Sequence, residues 1–108
     1  MEMLAIFLDM IEMIIETPYK ANDTITIKTT GGDEIVARYV EENDKAILVS
    51  KPLALMATQQ GMGLAPYAFT IPQDSKLSLN KSAVVFVCKT DPEMAKQYMT
   101  STTGIQLA

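Results

Sequence analysis

Residues 24–40, TITIKTTGGDEIVARYV, decide the fold. Ile25 and Ile27 alternate with Thr24, Thr26 and Lys28, a period of two rich in β-branched residues, which is the pattern of a half-buried strand. Gly31-Gly32-Asp33 then marks a hairpin, because a tight turn needs positive φ and glycine adopts it without steric cost. Beyond the turn, Ile35, Ala37 and Tyr39 alternate with Val36, Arg38 and Val40, giving a second strand.

Working towards the C-terminus, Glu41-Glu42-Asn43-Asp44 is a polar turn. Residues 46–57, AILVSKPLALMA, read as a third strand in which Pro52 marks a bulge, an edge or a break. Gln59 to Gly63 reads as a flexible loop, since it lacks the Lys-Ser/Thr pair of a phosphate cradle. A fourth strand is expected at Tyr67–Ile71, with Pro72 to Ser75 as punctuation. Ser78 to Lys81 leads into a fifth strand at 83–88, AVVFVC, whose Cys88 is expected to be a buried, inert thiol. Asp91-Pro92 is an N-cap followed by proline at the first helical position, so a short helix is expected from about Pro92 to Thr100.

Towards the N-terminus, residues 1–16, MEMLAIFLDMIEMIIE, are apolar except for Glu2, Asp9, Glu12 and Glu16. On a helix those acids fall within a stripe of roughly 80°. So apolar a helix needs covering on several sides, which suggests a neighbouring subunit. It is too short and too acidic for a membrane span and lacks the basic start of a secretory signal. Thr17-Pro18 ends it. The expected fold is therefore mainly β: an N-terminal α-helix (1–16), a strongly bent five-stranded antiparallel small barrel (22–90), and a short C-terminal helix with its tail (91–108), in a single domain over 1–108.

The order of elements and the Gly-turned first hairpin resemble the Sm-like (LSm) family, and within it the Sm-like proteins attributed to marine cyanophages. Ile25, Ile27, Gly32, Ile35, Tyr39 and Leu48 match the turn and core positions of the first family motif. Ala37 matches the small residue at which the second strand bends. Asn43 falls where the family usually has Asp, and Ile47 where it usually has Asn. In the second motif Leu79-Asn80-Lys81-Ser82 and Val84–Val87 replace the Arg-Gly pattern. The resemblance implies a homo-oligomeric ring of about five to seven copies, closed edge to edge. It also implies single-stranded RNA bound by loops at the ring pore, in the cytoplasm (that of the host, if the protein is phage-encoded). Independently, a charge-free fifth strand at a sheet edge needs a partner.

The chain carries 9 Lys+Arg against 13 Asp+Glu, no His and one Cys. This composition offers no His-based catalytic or metal constellation and no disulfide framework, so neither an enzyme nor a cofactor is expected. The net charge of −4 lies entirely on residues 1–16, because 17–108 balance nine acids with nine bases. The candidate RNA contacts are Asn43 and Asp44 in one turn, Asn80 and Lys81 in another, and Tyr67 as a stacking aromatic. Each has a plainer account: Asn and Asp favour hairpin turns, and a turn lysine confers solubility. Tyr39 and Phe69 fall on faces that alternation buries, and Glu41-Glu42 reads as solvated turn charge. The other functional class open to such a chain is a structural or protein-interaction ring, such as a phage-encoded adaptor or assembly subunit, whose working surfaces are the apolar first helix and its acidic stripe.

Overall fold

In a computed structural model that describes residues 18–72 and 74–103, the chain forms an antiparallel sheet and one helix. The strands are β1 (Thr24–Thr29), β2 (Glu34–Glu42), β3 (Ala46–Thr58), β4 (Gly61–Pro66), β5 (Lys76–Asn80) and β6 (Val84–Lys89), followed by α1 (Pro92–Thr103). The order is β4-β3-β2-β1-β6, and β5 pairs with β3 on the stretch that β4 leaves open. The expected N-terminal helix lies outside the described residues.

The opening hairpin forms as its sequence dictates. Gly32 takes φ +99°, and the turn closes through Gly32 N–H to the Thr29 carbonyl at 3.0 Å. In this register Ile25 faces Ala37 and Ile27 faces Ile35, and all four are fully buried. With Tyr39, Ile47 and Val49 they make the main core, onto which Leu77 and Leu79 of β5 and Val84 and Val87 of β6 also pack.

Val36, on the opposite face of β2, is buried as well, against Leu53 and Tyr98. That face is covered by α1, which Asp91 caps: its Oδ2 accepts from the N–H groups of Glu93 at 3.1 Å and Met94 at 3.3 Å. The helix runs three residues past Thr100, and the hydroxyls of Thr100 and Thr102 bond back to the carbonyls of Lys96 and Tyr98.

Pro52 marks a bulge. Val36 pairs with Leu53 and Arg38 with Ser50, so β3 carries one extra residue there, and Lys51 adopts φ +50°. At this bulge the edge strand is interrupted. β4 pairs with residues 53–58, β5 pairs with 46–50, and the intervening chain loops away.

Several expectations are corrected by this arrangement. Tyr67–Ile71 is irregular, because its pairing partner on β3 would be the bulge itself and Pro66 and Pro72 flank it. Gly61–Pro66, read as mostly loop, is a strand: Gln59-Gln60 forms the turn, and Gly61 supplies the positive φ of +121°. The sheet is open rather than a closed barrel. Its hydrogen-bonded path ends at β6 on one side and at β4 and β5 on the other, although β5 and β6 pack on the same core. Cys88 is exposed, since β6 is an edge strand that turns only Val84 and Val87 towards the core. Phe69, expected inside, is 82% exposed because the strand meant to bury it does not form.

Candidate functional site

The pairing of β5 with β3 brings the two polar turns together. Ala46 pairs with Asn80, so the β2–β3 turn and the 3-10 turn Lys81–Ala83 lie side by side. The Lys81 N–H donates to the Lys45 carbonyl at 2.8 Å, joining the two turns. Between them is a cleft of about 440 Å³ lined by Asp44, Lys45, Ser78, Asn80, Lys81 and Ser82. A neighbouring depression of about 270 Å³ includes Glu42 and Asn43 and shares Ala46 and Ser78 with it. Four of the sequence candidates, Asn43, Asp44, Asn80 and Lys81, therefore converge.

Each asparagine is oriented by its own backbone. Asn43 Oδ1 accepts from the N–H groups of Lys45 at 2.8 Å and Ala46 at 2.9 Å. Asn80 Oδ1 accepts from Ser82 N–H at 3.0 Å and caps the 3-10 turn. The Asn43 oxygen is filled by two N–H groups, so that side chain offers a ligand its amide donors, while Asn80 offers its donors and the second lone pair of an oxygen that accepts one bond.

Tyr67 stands apart. It is partly buried, packs against the main core and does not line this cleft. Its role as an exposed aromatic is corrected accordingly: its backbone follows Pro66 out of the sheet, but its ring folds back onto the core.

Sequence reasoning missed Glu42, Tyr19 and Tyr39 as parts of this region. Glu42 Oε2 pairs with Lys81 Nζ at 2.6 Å. Its Oε1 accepts from the hydroxyls of Tyr19 at 3.1 Å and Tyr39 at 3.2 Å. The two tyrosine rings meet edge to face, with centroids 4.7 Å apart. Burial alone would raise the pKa of Glu42, but the bonds from Lys81, Tyr19 and Tyr39 outweigh it and hold the carboxyl below its ordinary value. Burial and the Glu42 charge push Tyr39 up to about 12 and raise Tyr19 further.

Glu42 faces inward because of a second bulge. Tyr39 pairs with Val49, and Glu41 with Leu48, so β2 carries an extra residue between them. The insertion reverses the inside–outside parity and puts Glu42, not Glu41, on the face of Tyr39. A run of alternating residues gives no sign of that shift. The available hint was the crowding of Tyr39, Glu41 and Glu42 before a turn.

Among the described residues no cluster of His, Cys, Asp or Glu is arranged to hold a metal ion. No helix among them is long and apolar enough to cross a membrane. Compared with protein-family models and with curated proteins, the chain matches none.

Proposed function

We propose that this chain is a non-enzymatic Sm-like subunit that assembles into a homo-oligomeric ring and holds single-stranded RNA at the cleft between its two polar turns. The observation that carries the RNA reading is the convergence of those turns through the Lys81–Lys45 backbone bond. It brings the amide donors of Asn43 and Asn80 and the ammonium of Lys45 to two adjoining openings, where Asp44 also lies and where Lys81 is paired with Glu42. A donor-rich cleft suits phosphate oxygens and base edges that present acceptors. Repetition around a ring would multiply Lys45 into a cluster.

The ring reading draws on the sheet edges. β6 carries Val85, 60% exposed, and Phe86, 47% exposed, next to an edge with no partner among the described residues. Across the sheet, β4 exposes Met62 on a second open edge. Open apolar edges at both ends suit head-to-tail pairing that closes on itself.

A fluorescence titration with short U-rich and A-rich RNAs over a salt series tests the RNA reading. Binding that weakens with salt and favours the acceptor-rich uracil edge is expected, and no binding at low salt rejects it. A monomeric mass by light scattering at micromolar concentration rejects the ring.

One observation favours the protein-interaction reading as a second choice. Between Lys51 and Asp74 the chain has no charged residue, and this stretch exposes Met56, Met62 and Phe69. A pull-down that returns proteins and no nucleic acid would favour that reading over RNA binding.

A further inference from the structure

We propose that Lys45 is the phosphate ligand of the cleft, while Glu42 serves as a built-in counter-ion that reserves Lys81 for holding the two turns together. This assignment rests on the RNA reading and divides the labour between two lysines that composition alone makes equivalent.

The two side chains differ in what surrounds them. Lys81 Nζ is 2.6 Å from Glu42 Oε2, and its side chain is only a third exposed. Glu42 is itself fixed, because its other oxygen takes both tyrosine hydroxyls. For Lys81 to reach a phosphate it must leave a carboxylate that has no other cation to replace it among the described residues. The anion would therefore exchange one negative partner for another, with little gain. Lys45 is exposed, lines the same cleft and makes no ion pair among the described residues. Its backbone is meanwhile fixed from both sides: its N–H bonds to Asn43 Oδ1, and its carbonyl accepts from Lys81. The chain thus presents Lys45 from an ordered turn with its ammonium in no ion pair among the described residues, although Asp44 lines the same cleft, and an ammonium outside an ion pair can neutralise a phosphate and release its counterions.

Glu42 then tunes the site. Replacing it with glutamine keeps an acceptor for the tyrosines but removes the charge that neutralises Lys81, so a second lysine becomes available to the cleft.

The test compares wild type, Lys45→Ala, Lys81→Ala and Glu42→Gln in the RNA titration, with circular dichroism to establish that each is folded. Lys45→Ala should weaken binding about tenfold and lower the salt slope by about 0.7 for each phosphate that is no longer neutralised. Glu42→Gln should tighten binding several-fold and steepen the slope. Lys81→Ala alone leaves Glu42 uncompensated beside the cleft, so the pair is also removed together, and Lys81→Ala combined with Glu42→Gln should change affinity less than twofold. Acetylation of the wild-type protein, read by mass spectrometry, covers the case in which Lys81→Ala does not fold. Lys45 should react readily and be shielded by RNA, and Lys81 should react slowly with or without it. A loss for the Lys81→Ala, Glu42→Gln double variant equal to that for Lys45→Ala, an unchanged Glu42→Gln, or equal acetylation of both lysines overturns the assignment while leaving the RNA reading in place. No binding by wild type at low salt rejects the RNA reading and this assignment with it.

Discussion

The Lys81 N–H and the Lys45 carbonyl are 2.8 Å apart, and this bond makes one site out of two turns separated by three strands, β3, β4 and β5, and an irregular excursion. The turns meet because β5 resumes the edge of β3 after the excursion at 67–75. The geometry of the cleft therefore depends on the register of β3 and on side chains that hold each turn in shape.

Asn43 separates shape from recognition. Asn43→Ala removes the acceptor for the N–H groups of Lys45 and Ala46 and should cost about 1 kcal/mol in urea denaturation. Asn43→Asp keeps that acceptor and should hold stability within about 0.5 kcal/mol of wild type. It also exchanges amide donors for a carboxylate, so RNA affinity should fall several-fold. Wild-type affinity in Asn43→Asp would show that the amide donors take no part in binding.

Much of the fold can be read from the chain because its signals are local. Ile25 to Tyr39 carries its own alternation and turn glycine, and Asp91-Pro92 carries its own cap. The errors arise where a distant element changes the meaning of a local pattern. Val36 looks solvent-facing until α1 covers it. Tyr67–Ile71 looks like a strand until the Lys51-Pro52 bulge removes its pairing partner. The candidate site shows the same division. Asn43, Asp44, Asn80 and Lys81 stand out as turn residues, whereas Glu42 was hidden behind a bulge that changes parity. Tyr67 was misplaced because nothing nearby reveals that its ring folds back onto the core.

The Glu42 network predicts an acid-sensitive stability. The folded pKa of Glu42 lies below its ordinary value of about 4.3, so its contribution is fully present above that pH. It is lost as pH falls through the lower, folded value. Wild type should therefore lose stability relative to Glu42→Gln as pH drops from about 5. Parallel urea midpoints for the two proteins between pH 6 and pH 3 would count against the network.

The tyrosines predict the opposite limb. Tyr39 and Tyr98 are both pushed up to about 12, chiefly by burial. A raised folded value favours the protonated phenol, so stability is complete below about pH 10 and lost as pH rises through the folded values. Absorbance at alkaline pH should show tyrosines ionising late, together with loss of the far-ultraviolet β signal. Ionisation of all the tyrosines near pH 10 with the fold intact would contradict the burial of Tyr39 and Tyr98.

Tyr98 fastens α1 to the β3 bulge. Its ring is fully buried beside Val36 and Leu53, and its hydroxyl donates to the Lys51 carbonyl at 2.7 Å. Tyr98→Phe removes that donor from a partly buried carbonyl and should cost about 1–2 kcal/mol. Tyr98→Ala adds a cavity and should cost about 3–5 kcal/mol. Urea denaturation should rank the two in that order. Equal costs would mean that the hydroxyl contributes most of the anchoring and the ring little.

The open edge of β6 predicts where assembly should fail. Phe86 pairs with Lys28 and Val85 sits at the bulge between β1 and β6, and both side chains are exposed in the single chain. Substituting either by lysine leaves the packing of the main core intact, so the urea midpoint of the separated subunit should move by less than about 0.5 kcal/mol. If β6 is the edge on which copies join, each added lysine must be desolvated at every interface of a closed assembly. The cost then recurs once per subunit. Phe86→Lys and Val85→Lys should each shift the light-scattering mass towards that of one chain at concentrations where wild type is assembled. RNA affinity should fall at the same time, because the lysines of neighbouring clefts no longer act together. A variant that dissociates yet keeps full RNA affinity would separate the two halves of the proposed function, leaving the cleft of a single chain as the binding unit.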